Sequence, residues 1–296
     1  MSLAKAVADF DREYTRGANG LDHHILEWGP ADSPHCVVLC HGFLDMAYGF
    51  LALAPLLACK GYRVIAPDLR GHGETSWLPD SGYYYFPDYV LDLHALLPQL
   101  VQQPFELVGH SMGGAVATLY AATHPLQLRT LSLIEGFGPP DEPAAKAPAR
   151  MLQWLDGVDA VRRTPKPTRM ATLADATARL RARHPTLPEA LLHKLAVRSV
   201  RTHDDGQGLT WRFDPLHRTR SPIGFDAARF GHFLANITAP TLLVQGERGL
   251  RWGDEAERLA ALKNRHHAEL SGAGHMMHWT HPEPLAALLL AHFKRA

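Results

Sequence analysis

"ELVGHSMGGAVATLYAATHP", residues 106 to 125, joins an apolar run to a helical pattern of small residues through a glycine-flanked turn. "FELVG" (105 to 109) reads as a buried strand, and residues 112 to 124 read as a helix. Between them Gly109-His110-Ser111-Met112-Gly113 is a G-x-S-x-G element. In a strand–turn–helix context that element places its serine on a sharp, strained and exposed turn. Gly113, Gly114, Ala115 and Ala117 let the helix lie close on a sheet. Ser111 is therefore the candidate nucleophile.

Outward from this turn, short apolar runs alternate with helical patterns, the signature of parallel strands joined by crossover helices. The other strand candidates are "CVVLC" (36 to 40), "YRVIAP" (62 to 67), "TLSLIE" (130 to 135), "TLLVQG" (241 to 246) and "HAELSG" (267 to 272). An antiparallel hairpin turning at Asn19-Gly20 precedes them, giving about eight strands, mostly parallel. Helices are expected over 46 to 60, 84 to 102, 253 to 264 and the C-terminal "PEPLAALLLAHFKRA". The alternation breaks between about 138 and 233. There "PPDEPAAKAPAR" reads as a linker, and Thr186-Leu187-Pro188-Glu189 reads as a capping box ahead of an apolar stripe at Leu191, Leu192, Leu195 and Ala196. The chain is thus expected to hold a core, 1–137 with 234–296, and a helical insertion, 138–233.

With 296 residues and 46% hydrophobic content the chain can bury a large core. Thirty basic residues balance thirty acidic ones, so no global field favours nucleic acid or an anionic membrane. The insertion carries 16 Lys/Arg against 10 Asp/Glu, read as an ordinary solvated helical surface. No apolar leader stands in "MSLAKAVADFDREYTRG", and no run approaches the roughly 20 apolar residues of a membrane span. Cys36, Cys40 and Cys59 are odd in number without C-x-x-C spacing and are expected to be packing thiols of a reducing, cytoplasmic compartment.

A serine hydroxyl needs a base within hydrogen-bond reach. His275 follows Gly272-Ala273-Gly274 on the loop after the last strand and is the candidate base. His278 and His281, each three residues further on, lack an HExxH-type pattern and are expected at the surface or at a helix cap. An attacked carbonyl develops negative charge and needs preorganised N–H donors. The Met112 amide, at the start of the helix, is one candidate. The Phe43 amide, in "LCHGFLD" (39 to 45), is the other, with Gly42 letting the loop fold back.

Taken together, "HGF", "PDLRGHGETS" (67 to 76), "GHSMGG" and "GAGH" resemble the α/β-hydrolase fold superfamily, in its serine-hydrolase-like branch with a helical cap after the sixth strand. The match in order and spacing runs over nearly the whole chain. It implies an α/β fold of about eight mostly parallel strands flanked by helices, and acyl transfer to water. The resemblance gives "DLRGHGETS" a structural role. It does not separate an esterase, lactonase or thioesterase from a cofactor-free perhydrolase or carbon–carbon bond hydrolase. A binding module without turnover is the reading from another class. No metal or organic cofactor is expected, the partner is a small acyl substrate, and the assembly is a monomer or homodimer.

The third member of a triad is less obvious. Many relatives place an aspartate two or three residues after the glycine closing the seventh strand, but here Arg248 and Gly249 follow Gly246 at those positions. Glu247 comes one position early, and Asp254 and Glu255 come late. Glu135, ending "TLSLIE", is the leading candidate, as some dehalogenases of the superfamily take their acid from that strand end. Glu247 is the alternative. The cap's Trp154, Trp211 and Phe213 are expected either to shape an apolar pocket over Ser111 or to form the cap's own small core.

Overall fold

The computed structural model describes residues 10–163 and 169–295; the first nine residues of the N-terminal segment, five of the insertion and the last residue lie outside it. Asn19 and Gly20 both take positive φ (52° and 76°), the backbone a two-residue hairpin needs. They join β1 (Arg12–Ala18) to β2 (Leu21–Trp28). Next come β3 (Cys36–Cys40), α1 (Ala54–Ala58), β4 (Arg63–Pro67), α2 (Phe86–Leu100), β5 (Phe105–His110), α3 (Met112–Thr123) and β6 (Leu128–Ile134). Between β6 and the next main-sheet strand come α4 (Ala147–Arg163), α5 (Leu173–Arg183), α6 (Glu189–Ser199), β7 (Val200–Thr202) and β8 (Leu209–Trp211). The chain ends with α7 (Ala227–Asn236), β9 (Thr241–Arg248), α8 (Glu255–Ala261), β10 (Arg265–Gly274), α9 (Met277–Thr280) and α10 (Pro282–Phe293).

Eight strands form one sheet in the order β1-β2-β4-β3-β5-β6-β9-β10, antiparallel at the first two pairings and parallel thereafter. The central strands are apolar on both faces, as a sheet covered on both sides requires. Val37 and Leu39 pack with Leu57 of α1 and Leu289 of α10. Val38 and Cys40 point the other way, into a cluster with Leu93 of α2, Val116 of α3 and Leu234 of α7. α3 lies so close to the sheet that a Cβ on Gly113 would run into the Cys40 carbonyl of β3.

Several local expectations are corrected. The helix expected over 46 to 60 splits into a 3₁₀ turn at Ala47–Phe50 and α1, because Pro55, in the first turn of α1, cannot continue a hydrogen-bonded ladder. The Thr186 capping box does not form. Pro188 is the N-cap of α6, so Glu189 is the first helical residue rather than the third. A capping box stands instead at the start of α5, between Thr172 and Asp175. The β7–β8 hairpin, three residues a side, is too short for alternation to show in the sequence. α7 plants Phe230 and Leu234 in the main core. Cys36 and Cys40 are buried as expected, whereas Cys59 is exposed. Among the described residues, no helix is long and apolar enough to cross a membrane.

The chain leaving β6 is clamped by a buried arginine. Arg258 of α8 donates to the Phe137 carbonyl at 2.6 Å and the Pro139 carbonyl at 2.7 Å, and pairs with Asp254 at 2.7 Å. Arg258→Met strands two carbonyls and a carboxylate, so unfolding in urea is expected to lose about 2–4 kcal/mol. A denaturation midpoint equal to that of the unmodified chain would contradict this.

Candidate active site

Three strand ends deliver the polar residues. β5 ends at His110, and Ser111 follows with φ 52° and ψ −118°. This is a strained backbone for a residue with a Cβ, and it is held by the Ser111 amide donating to the Ile134 carbonyl at 2.9 Å. β6 ends at Ile134, and Glu135 also takes positive φ (49°), its amide donating to the Val244 carbonyl at 2.9 Å. His275 follows β10. Two adjacent parallel strands thus turn through left-handed residues at the same edge, aiming Ser111 and Glu135 toward the loop carrying His275.

The contacts form a chain. His275 Nε2 is 3.0 Å from Ser111 Oγ, and His275 Nδ1 is 3.4 Å from Glu135 Oε2. The Glu135 carboxylate, its side chain wholly buried, also accepts from the Gly246 amide at 2.7 Å and the Leu250 amide at 2.8 Å. Burial opposes its ionisation, but the His275 ring and the two amides more than offset that, and its carboxyl lies below the ordinary 4.5. Gly249 makes the room, because a Cβ there would run into the Glu135 carboxylate. Such a chain can take a proton from the serine hydroxyl onto the imidazole while a carboxylate balances the resulting charge.

Glu247 lies elsewhere. It is exposed and accepts from Ser271 Oγ at 3.0 Å and the Gly272 amide at 2.7 Å. Asp254 pairs with Arg258, and Glu255 accepts from Gln245 at 2.9 Å. Phe43 and Met112 both line the cavity that reaches Ser111, and neither amide donates to an acceptor among the described residues. The fold-back near Phe43 is made by Leu44, with φ 59°, and not by Gly42. Gly42 serves spacing instead: a Cβ there would stand 2.8 Å from His110 Nδ1.

Sequence reasoning missed a buried layer behind His275. His110 Nε2 donates to the His275 carbonyl at 2.9 Å, and His278 Nε2 lies 3.4 Å from Asp45 Oδ2. The expectation of a surface or capping role for His278 is therefore wrong. Its ring is fully buried and stacks obliquely on His110, with centroids 4.2 Å apart. Burial, with His275 and other histidines nearby, pushes His278 down to about 3, and burial likewise takes His110 well below its ordinary value. Both rings are neutral at pH 7 and buttress His275 without competing for its proton. The clue available was the three-residue step from His275 on a helical turn, which sends His278 back beneath the loop.

A cavity of about 1190 Å³ opens over Ser111, lined from the core and from the inserted segment. Trp154, Trp211 and Phe213 do not line it. Trp154 packs edge-on to Tyr83 beside Val158 and Leu216, Trp211 sits with Met170 and Val200, and Phe213 lies under Arg218. The lining aromatics are instead Phe43, "YYYF" (83 to 86), Tyr89, Phe225, Phe230, Phe233 and Trp252.

A mostly parallel eight-stranded sheet with a serine on the turn after its central strand, facing a histidine from the last loop, defines a hydrolase of the α/β class. The chain belongs to the alpha/beta hydrolase fold family, whose model matches residues 36–282. It is similar to a serine hydrolase-like protein of Danio rerio, 28% identical over 82% of this chain and 79% of that one. A 3-hydroxybutyrate-oligomer hydrolase of Cupriavidus necator is 28% identical over 91% of this chain and 92% of its own length. Among solved structures, a thioesterase domain from the curacin biosynthetic pathway superposes with a TM-score of 0.85 at 30% identity, over 95% of this chain and 99% of that one.

Because the folded-state value of Glu135 is depressed, its ionised form stabilises the fold at pH above 4.5, and that contribution is lost as pH falls through the lower folded value. The stability margin of the unmodified protein over Glu135→Gln is expected to shrink on acidification below pH 4.5, followed by urea unfolding. A margin constant from neutral to acid pH would mean that the carboxylate charge is not engaged.

Proposed function

We propose that the protein hydrolyses a small carboxylic ester or related acyl substrate, a lactone or thioester, through an acyl-enzyme on Ser111. The observation that carries this is the 3.0 Å contact between His275 Nε2 and the Oγ of Ser111, which lines a large cavity. The names of similar proteins support acyl transfer to water, one a 3-hydroxybutyrate-oligomer hydrolase and one a thioesterase domain.

Ser111 Oγ attacks the carbonyl carbon while its proton passes to His275 Nε2. Glu135, facing Nδ1, holds the ring and balances the imidazolium. The amides of Phe43 and Met112 receive the oxyanion, the latter at the positive end of α3. The tetrahedral intermediate collapses, the bond to the leaving group breaks, and that group departs with the proton from His275. Water then repeats the sequence, giving its proton to His275 and releasing the acid and the serine hydroxyl. The 138–233 segment serves as the cap that screens these steps from bulk water.

A fluorophosphonate probe is expected to label the unmodified protein and not Ser111→Ala, which should also lose ester turnover. A silent Ser111 would favour a binding module without catalysis. Glu135→Gln is expected to lower kcat by on the order of 10³ to 10⁴, and Glu247→Gln to leave it near the unmodified rate. The reverse ranking in p-nitrophenyl ester assays would move the acid to Glu247.

A further inference from the structure

The cavity is not a bowl centred on Ser111. It runs lengthwise along α3, whose Met112, Ala115, Leu119 and Thr123 all line it. Steps of three, four and four residues put these on one helix face. α2 supplies one wall through Phe86, Val90 and His94, spaced by four. α7 supplies the other through Phe230 and Phe233. Ala115 and Phe230 belong to the main core, and Phe86, Val90, Met112, Leu119 and Phe233 pack against it, so the groove is framed by rigid elements.

Its floor on α3 and the walls from α2 and α7 are mainly apolar, while charged side chains, among them Glu142, Arg150 and Arg220, line it from the segment between β6 and α7. Phe43, Leu91, Ile223 and Leu250 are exposed, and all four converge on this one cavity. Apolar side chains gathered this way mark a surface awaiting an apolar partner. The far end of the α3 floor meets a polar pair, His94 Nδ1 lying 2.8 Å from His124 Nε2 beside Thr123. At ~1.5 Å per residue, the twelve residues of α3 give a floor of about 18 Å, room for an extended acyl chain of about 14 carbons.

The direction of the groove says which half of the substrate it takes. Ser111, Met112 and Glu135 line it, whereas His275 does not. The leaving group must meet His275 to collect its proton, so it occupies the other side of Ser111. Building on the acyl-transfer reading above, we propose that the groove along α3 is an acyl-chain channel, and that the substrate class is an ester or thioester of a long, unbranched fatty acid.

The test is a series of p-nitrophenyl esters from C2 to C16, with matching acyl thioesters at C4 and C14, on the full chain. Full burial would give roughly fourfold per methylene. A half-open groove is expected to give about fourfold in kcat/KM per two carbons, rising from C4 to about C14 and falling beyond it. Leu119→Trp, on α3 about 12 Å along the floor from Ser111, should move the optimum to about C8 and cut the C14-to-C4 ratio at least tenfold. Val90→Trp narrows the same depth from α2 and replaces Leu119→Trp if that variant lacks a native melting transition. If both lack one, the unmodified protein's chain-length profile decides. Turnover of C4 with no gain to C14, or an optimum unmoved by a folded groove variant, overturns the channel while leaving acyl transfer intact. Thioesters that reproduce the ester ratio support an acyl-reading groove; a ratio seen with p-nitrophenyl esters alone counts against it. No turnover at any length, with Ser111 unlabelled by fluorophosphonate, overturns the acyl-transfer reading and the channel with it.

Discussion

A wholly buried carboxylate at the end of a strand is tolerable only if its charge is met. Glu135 is met three ways, by the Gly246 amide, the Leu250 amide and the His275 ring. The amides come from the end of β9 and the loop after it, the ring from the loop after β10. Satisfying one charge therefore fixes the relative placement of three chain segments far apart in sequence. The order β6-β9-β10 in the sheet makes them neighbours. Removing the carboxylate leaves two directed amides and an imidazole without their common acceptor, and burial makes that expensive.

The same constraint organises the backbone around it. Ser111 and Glu135 are both non-glycine residues at positive φ, one residue beyond adjacent strands. Each such residue stores on the order of 1–3 kcal/mol of strain, and the ladders of β5, β6 and β9 hold both in place through amides bonded to Ile134 and Val244. Behind His275, neutral His110 and His278 fill space and fix the loop backbone. The site is rigid by construction: strained turns in front, packed rings behind, and a groove along α3 as the open side.

Much of this was legible in the residues. The strand–turn–helix around Ser111, the alternation of strands and helices, and the glycines before His275 are local patterns, and local patterns survive translation into structure. Glu135 could be suspected because Arg248 and Gly249 left no acid at the more usual place. What could not be read was cooperation between distant segments. Gly249 looked like a vacancy in a motif, yet it is the space into which the Glu135 carboxylate fits. His278 looked like a surface histidine because nothing local says that Asp45 and His110 lie beneath the same loop. Whether Trp154 and Trp211 line the pocket or fill a small core of their own stayed open, because aromaticity alone does not reveal which cluster claims a side chain; each sits in a small core.

The central claim is that the Glu135 carboxylate is the partner of His275 Nδ1. The most direct measurement is the low-field one-dimensional proton spectrum of the protein with Ser111 captured by a boronate, which holds His275 as imidazolium. A strongly downfield Nδ1 proton is expected in the unmodified protein and in Glu247→Gln, and is expected to disappear in Glu135→Gln. A downfield resonance that persists in a folded Glu135→Gln, or one lost on changing Glu247, would contradict the account.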